Sequence, residues 1–262
     1  MTISRLLASV LVLALTAGCM HSGLAPGKTG AQAAGVNVQL AIEYLKLGKL
    51  GDSRDFIERA LKQDPGNANV QLTAGLVFER LNEMPKAEKA YAAAARLGAR
   101  DPNIQNNYAG FLCRTGKAAA GEKLFGEVAR DPVYQTPEVA LVNAGVCVRN
   151  VGDVLDAQRY FTRALAIRPN MPEAMLQLGD LAIDSGDAAA ALDFVQRYLA
   201  VNPVTPEVLW LGFRAERKLG DATAAAGYAR RVQTEFPNSE QAQMMRSGAD
   251  RCARLANRSV GA

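Results

Sequence analysis

A repeat of about 34 residues runs through most of the chain and limits its fold more than any other feature. One glycine or asparagine recurs at the same place in each unit, and the steps between them are 34, 34, 36, 34 and 34 residues: Gly48, Asn82, Gly116, Gly152, Gly186 and Gly220. Five residues after each of these comes a small side chain: Ser53, Ala87, Gly121, Ala157, Ala191 and Ala225. A period that carries several aligned columns predicts a repeat architecture.

Two further columns indicate what each unit is. Nine residues after the turn stands a mostly bulky apolar residue: Ile57, Tyr91, Phe125, Phe161, Val195 and Ala229. Seven residues before the turn stands a small residue, except in the last unit: Ala41, Gly75, Ala109, Gly145, Gly179 and Phe213. Small residues let two helices approach closely, and bulky residues fill the space beside them. We therefore predict two antiparallel helices per unit.

Prolines close four of the units, where they end the second helix because proline cannot donate the next hydrogen bond: Pro65, Pro169, Pro203 and Pro237. A single hairpin cannot bury its apolar face, so neighbouring units must stack and share a core. The period and the columns resemble the tetratricopeptide repeat. The resemblance implies an all-α, right-handed superhelical solenoid of six repeats over residues 35–237. We expect a capping helix over 238–257, begun by Asn238 or Ser239, and a disordered tail over 258–262.

The N-terminus has the pattern of an export signal. One positive charge, Arg5, precedes a short apolar run that is followed by Ala17, Gly18 and Cys19. This order resembles a bacterial lipobox, although Thr16 stands where leucine is usual. The resemblance implies that residues 1–18 are removed and Cys19 is acylated; Met20 after it favours the outer membrane. An ordinary signal peptide that contains a cysteine remains the alternative.

The segment after this signal, residues 19–35, is rich in glycine and has no helical period, so we expect it to be a flexible, lipidated tether. The chain would then stand on the periplasmic face of the outer membrane, anchored by lipid.

The repeats lack the residues that most kinds of catalytic site require. His21 is the only histidine, so no Ser-His-Asp set and no histidine zinc site can form on the repeats. Phosphate-binding glycine motifs are missing as well. The net charge of +4 is too small to indicate nucleic acid. We read the carboxylates of Glu79, Glu122 and Asp156 as solvated. We expect a binding scaffold with no cofactor, metal or small-molecule substrate, and an enzyme of unknown type is the least favoured hypothesis.

Two cysteine-bearing segments narrow the resemblance. Residues 106–113 read NNYAGFLC, and residues 136–147 begin with TPE and end with NAGVC. With the lipobox and six repeats they resemble the PilW/PilF family of type IV pilus lipoproteins. The resemblance implies an outer-membrane protein that binds the pilus secretin and promotes its localisation and multimerisation. The alternative is an adaptor of another envelope machine, such as a tight-adherence pilus or a cell-wall hydrolase scaffold.

The first helices of tetratricopeptide repeats line a concave surface, which we expect to bind the partner. Counting from the turn residues places ten residues on or near it: Asn69, Leu72, Leu76, Asn106, Asn107, Gly110, Arg114, Asn143, Val146 and Arg149. Asn107 and Asn143 lie nine residues before Gly116 and Gly152. Their amides could bond the backbone of an extended peptide or could brace neighbouring helices. Leu72 and Leu76 could form an apolar pocket or pack in the core.

Cys113 and Cys147 lie in the first helices of repeats three and four. The residues alone leave open a disulfide or two buried thiols, because the cysteines stand three and five residues before their turn glycines. The resemblance to the PilW/PilF family favours the disulfide. Cys252 would then have no partner.

Overall fold

Residues 26–247 form twelve helices and the start of a thirteenth. In the computed structural model the described residues are 26–247, with side chains described from residue 30 onward. The helices are α1 Pro26–Lys46, α2 Leu50–Gln63, α3 Ala68–Arg80, α4 Met84–Leu97, α5 Pro102–Arg114, α6 Ala118–Val128, α7 Pro137–Asn150, α8 Val154–Ile167, α9 Pro172–Ser185, α10 Ala188–Val201, α11 Pro206–Leu219 and α12 Ala222–Glu235. A thirteenth helix, α13, occupies residues 240–247. Residues 26–247 contain no strand, and the predicted all-α solenoid is confirmed.

The helices pair into six antiparallel hairpins, from α1–α2 to α11–α12. Successive odd-numbered helices also contact one another, as in the pairs α3–α5, α5–α7 and α9–α11. No two even-numbered helices make a comparable contact within the described part of the chain. The odd-numbered helices therefore form the inner row of the curved array, and the even-numbered helices form the outer row.

The six recurring residues form the turns inside the hairpins. All six have a positive φ, and Asn82, with φ 59°, is the only one of them that is not glycine. Asparagine is among the few residues other than glycine that adopt this left-handed conformation at modest cost. The turn column was thus recognisable in the sequence because the backbone there accepts only these residue types.

Small and large columns meet inside the hairpins, as predicted. A Cβ added to Gly75 would lie 2.8 Å from the ring of Tyr91, and one added to Gly145 would lie 2.5 Å from the ring of Phe161. The last unit is shifted by one residue. Its close contact joins Gly212 to Tyr228, where an added Cβ would lie 2.7 Å from the ring. This shift explains why Phe213 breaks the small-residue column of the sequence, because Gly212 takes that place in the last unit.

The two extra residues before the fourth turn lie in the connection between α6 and α7. This connection spans residues 129–136, whereas residues 98–101 suffice between α4 and α5. Tyr134 in the long connection is only 8 % exposed and packs with Ala140 and Ala144 of α7. The insertion therefore leaves the repeat packing intact and adds a side chain to the core.

The tether prediction over 19–35 was wrong for residues 26–35, which form the first ten residues of α1. The glycines made this segment look irregular, but packing outweighs their helix propensity. Ala34 is fully buried on the same helix face as Ala41. Both belong, with Ile57, to the hydrophobic core of the first two hairpins, which we call the first core cluster. One of these glycines, Gly30, stands where α1 approaches the end of α2 closely, since a Cβ there would lie 3.3 Å from the carbonyl oxygen of Gln63.

The predicted terminal segments lie only partly within the described residues. Ser239, rather than Asn238, caps α13, because its Oγ accepts a hydrogen bond from the Ala242 N–H at 3.1 Å. Ala242 is fully buried in the core of the last hairpins. The signal peptide, Cys19 and residues 248–262 with Cys252 lie outside the described residues. Among helices of residues 26–247, none is long and apolar enough to cross a membrane.

Candidate partner-binding groove

A concave pocket of about 370 Å³ opens between α5 and α7, on the inner row of helices. Six of the ten predicted partner-binding residues line it: Asn106, Asn107, Gly110, Arg114, Asn143 and Val146. Cys113, Phe125, Cys147 and Asn150 complete the lining. Gly110 keeps the pocket open, since a Cβ there would lie 3.0 Å from Arg114 Nη1. We call this site the α5–α7 pocket.

The other four predicted residues do not line this pocket. Leu72 and Leu76 are half-buried and pack against the first core cluster, as the core-packing alternative had it. Asn69 is exposed in the first turn of α3. Arg149 points to α9, where its guanidinium donates to Gln177 Oε1 at 2.7 Å and to Asp184 Oδ2 at 3.1 Å.

A disulfide between Cys113 and Cys147 joins the two helices that flank the pocket. The Cα atoms are 5.4 Å apart, within the normal range for a disulfide. Beneath it, Gly121 of α6 is the only glycine in its column, and a Cβ there would lie 2.3 Å from Cys113 Sγ. The small residue of the third repeat is therefore glycine because the disulfide occupies the space of a methyl group.

The asparagines of the pocket brace helices and still offer groups to a ligand. Asn143 Nδ2 donates to Asn106 Oδ1 across the α5–α7 boundary at 3.4 Å, and Asn107 Nδ2 donates to the Asn103 carbonyl oxygen at 2.8 Å. The bracing alternative for these amides is therefore observed, and peptide binding by them stays a prediction. Asn107 Oδ1 and Asn143 Oδ1 accept no hydrogen bond from any described residue, so each remains an acceptor facing the pocket region.

Glu79 of α3 neutralises the one cation of the pocket. Arg114 Nε donates to Glu79 Oε1 at 2.6 Å and Arg114 Nη2 donates to Glu79 Oε2 at 3.0 Å, while the Tyr91 hydroxyl donates to Glu79 Oε2 at 2.8 Å. Our reading of Glu79 as a solvated carboxylate was wrong, because its side chain is only 15 % exposed. The sequence carried no signal for this pair beyond a spacing of one repeat.

The titration behaviour of this cluster follows from its contacts. Burial acts to raise the pKa of Glu79, but the hydrogen bonds from Arg114 and Tyr91 outweigh burial, and the pKa falls below its ordinary value. Burial and the adjacent Glu79 carboxylate raise the pKa of the Tyr91 hydroxyl above its ordinary range. At neutral pH the cluster holds one carboxylate, one guanidinium and one neutral phenol.

Ion pairs also join the inner helices of the later repeats to one another. Arg214 of α11 donates to Asp180 Oδ1 of α9 at 2.6 Å, and Arg149 of α7 bonds Asp184 of the same helix. Arg114 and Arg149 are therefore structural ties between repeats as much as groove residues. The α5–α7 pocket is left electrically near neutral and lined by amides, which suits an uncharged extended segment. Among residues 26–247, no cluster of histidine, cysteine and carboxylate groups could hold a metal ion.

We expect Glu79→Gln to lower the free energy of unfolding by roughly 1–2 kcal/mol at pH 7, because Arg114 loses its carboxylate. The folded state depresses the Glu79 pKa, so its stabilisation is complete above the unfolded value of about 4.5 and is lost as pH falls through the folded value. Urea titrations at pH 7 and pH 3 measure this difference.

The matched control is Glu88→Gln, which removes a carboxylate that pairs with Lys117 across the same two repeats. Both partners are about half exposed, at 52 % and 49 %, so we expect no measurable change in the free energy of unfolding. A Glu79→Gln effect that persists undiminished at pH 3 would contradict the role given to the carboxylate.

Comparison with known proteins places these features in a family. Profiles described as tetratricopeptide repeat match residues 38–102, 151–211 and 208–239. The crystal structure of PilW, a widely conserved type IV pilus biogenesis factor, is 31% identical, with a TM-score of 0.70 over 82% of this chain and 98% of that one. The chain belongs to the PilW/PilF family.

Two further relatives agree with this family. The type IV pilus assembly protein PilF of Pseudomonas aeruginosa is 27% identical over 185 residues, which are 69% of this chain and 73% of that protein. A structure of Pseudomonas aeruginosa PilF matches the fold with a TM-score of 0.66 at 23% identity, over 84% of this chain and 99% of that one. This PilW/PilF protein is thus a tetratricopeptide-repeat protein of the type IV pilus biogenesis group.

Proposed function

We propose that this PilW/PilF protein is an outer-membrane lipoprotein that binds the type IV pilus secretin in the α5–α7 pocket and promotes its localisation and multimerisation. The observation that carries the proposal is the pocket itself, within a chain that shares 31% identity with a type IV pilus biogenesis factor. The pocket is concave, near neutral and lined by asparagines with unused acceptor oxygens. Such amide groups can hydrogen-bond to the backbone of an extended segment whether or not its side chains are charged.

The alternative, an adaptor for a tight-adherence pilus or a cell-wall hydrolase, is less well supported. The match to the PilW structure extends over 98% of that chain, so the likeness runs through the whole repeat array and is not confined to one generic hairpin. If the native protein co-purified with a hydrolase and not with a secretin, that result would favour the alternative.

The anchor is a separate part of the proposal. It rests on the lipobox-like order of Ala17, Gly18 and Cys19. Acyl chains contribute about 0.8 kcal/mol for each buried CH₂, so three chains would hold the protein on the membrane permanently. Mass spectrometry of the detergent-extracted protein should show a chain that begins at acylated Cys19. A chain that is cleaved elsewhere and carries no lipid would refute the anchor.

We expect the double variant Asn107→Asp/Asn143→Asp to reduce secretin multimers in the outer membrane by at least about tenfold. The substitutions keep side-chain size, remove N–H donors and place two carboxylates in a near-neutral pocket. Loss of about 1.4 kcal/mol of binding free energy is already tenfold in affinity. The measurement is the amount of secretin multimer in outer-membrane fractions of cells that carry the variant.

Gln158→Glu/Thr162→Asp is the control, since both residues are exposed on the outer helix α8. It adds the same charge and should leave secretin multimers unchanged. Equal multimer levels in both variants, with helical content and melting temperature preserved, would contradict binding at the α5–α7 pocket.

A further inference from the structure

A second concave cleft lies between α9 and α11, near the C-terminal end of the inner row. Its volume is about 460 Å³, and its lining comes from these two helices: Ile183, Asp184, Trp210, Phe213, Arg214, Arg217 and Lys218. It shares no residue with the α5–α7 pocket or with the ten predicted partner-binding residues. We call it the α9–α11 cleft.

The aromatic wall of this cleft arises from the one-residue shift in the last repeat. Because Gly212 makes the close contact with Tyr228, Phe213 is not needed at the hairpin crossing. Its ring stacks instead on Trp210, with ring centroids 5.3 Å apart and an angle of 27° between the planes. Both side chains are only half-buried, so they present an apolar face to the cleft.

The charges of the cleft are less balanced than those of the α5–α7 pocket. Arg214 is matched by Asp180 and Asp184, at 2.6 Å and 3.5 Å. Lys218 Nζ donates to the carbonyl oxygen of Ile183 at 2.7 Å, which is a neutral acceptor. No carboxylate of residues 26–247 lies within ion-pair distance of this ammonium group.

Arg217 has no carboxylate within ion-pair distance among residues 26–247, and its guanidinium lies 5.6 Å from the centroid of the Phe213 ring. This stacking holds the cation beside the aromatic wall. Arg217 and Lys218 are both exposed, so an approaching anion can reach them.

We infer that the α9–α11 cleft binds an acidic peptide segment that carries one aromatic or large aliphatic side chain. The Trp210–Phe213 face takes the apolar side chain, and Arg217 and Lys218 take the carboxylates that flank it. Charge-assisted hydrogen bonds are roughly twice as strong as neutral ones, so the two cations select for acidic segments. The inference does not depend on secretin binding at the α5–α7 pocket, because the two sites share no residue.

The chain supplies its own probe, because Trp210 is the only tryptophan. We expect the acetylated and amidated peptide Asp-Glu-Phe-Asp-Glu to change the Trp210 emission of the mature protein in a saturable way. The charge-inverted peptide Lys-Arg-Phe-Lys-Arg and the peptide Asp-Glu-Gly-Asp-Glu should give at least tenfold weaker binding. Addition of 0.5 M NaCl should also weaken the binding of the acidic peptide, because salt screens the attraction between opposite charges.

Arg217→Gln/Lys218→Gln should abolish most of the response, while Asn107→Asp/Asn143→Asp should leave it unchanged. Both cations are exposed, so far-UV circular dichroism should show an intact fold in the first variant. No saturable response at millimolar peptide, an equal response to the inverted peptide, or full binding in the Gln variant would overturn the inference. Tighter binding of a ten-residue thymidine oligonucleotide would also overturn it, in favour of a nucleic-acid site.

Discussion

Phe161→Ala is expected to lower the free energy of unfolding by about 3–5 kcal/mol, a large part of the stability of a protein domain. Phe161 is fully buried in α8 and its ring lies against Gly145 of α7, where an added Cβ would be 2.5 Å away. A helix crossing this close cannot collapse further to fill the space of a lost ring. The penalty therefore combines lost apolar burial with a residual cavity.

Urea denaturation followed by helical circular dichroism measures this change. Leu155→Ala is the control on the same helix, since Leu155 is 75 % exposed and its truncation should cost less than about 0.5 kcal/mol. If Phe161→Ala were to cost less than about 1 kcal/mol, the small-and-large packing rule inferred from the repeat columns would be wrong.

Cys113→Ala/Cys147→Ala is expected to cost roughly 3–4 kcal/mol, on the chain-entropy estimate for a loop of this size. The two cysteines are 34 residues apart in sequence, so the bond closes a loop of one repeat in the unfolded chain. Oxidised protein should be more stable than reduced protein by a similar amount. The double variant should show no such dependence on reductant, which separates the bond from the loss of two sulfur atoms.

Thiol labelling gives an independent measurement of the same bond. In denatured, unreduced protein with Cys19 acylated, only Cys252 should react. Three reactive cysteines, together with stability that is unchanged by reductant, would rule out the bond. The disulfide also flanks the α5–α7 pocket, so its loss should weaken partner binding even at temperatures where the repeats remain folded.

Local chemistry explains which parts of the fold the sequence could predict. The turn residues were recognisable because a left-handed backbone accepts little except glycine and asparagine, as at Gly152 and Asn82. The hairpin crossings were recognisable because close contact excludes a side chain, as at Gly75 and Gly145. These constraints act within one unit and leave a residue-type signature at each position.

Features that depend on contacts between units left weaker signatures. The helical start of α1 rests on burial of Ala34, which the glycine-rich composition concealed. The shift of the last repeat places Gly212 and Phe213 side by side, and only the packing against Tyr228 decides which one faces the crossing. Departure of Phe213 from its column was the one available signal of the α9–α11 cleft.

The candidate site was predictable in position and less so in chemistry. Counting from the turns named six of the residues that line the α5–α7 pocket, since repeat geometry fixes which helix face is concave. The counting could not show that Glu79 neutralises Arg114 or that Arg149 is tied to α9. Such ion pairs depend on side-chain conformations at the boundary between repeats, where many spacings are equally compatible with contact.

The most direct test of secretin binding at the α5–α7 pocket is site-specific photo-crosslinking in intact membranes. A photoreactive phenylalanine analogue replaces Asn107 in the pocket or, as the control, Gln158 on the outer face of α8. We predict that irradiation joins the position-107 protein to the secretin and that the position-158 protein gives no such product. A secretin adduct from position 158 and none from position 107, with normal secretin multimers in both strains, would contradict the proposal.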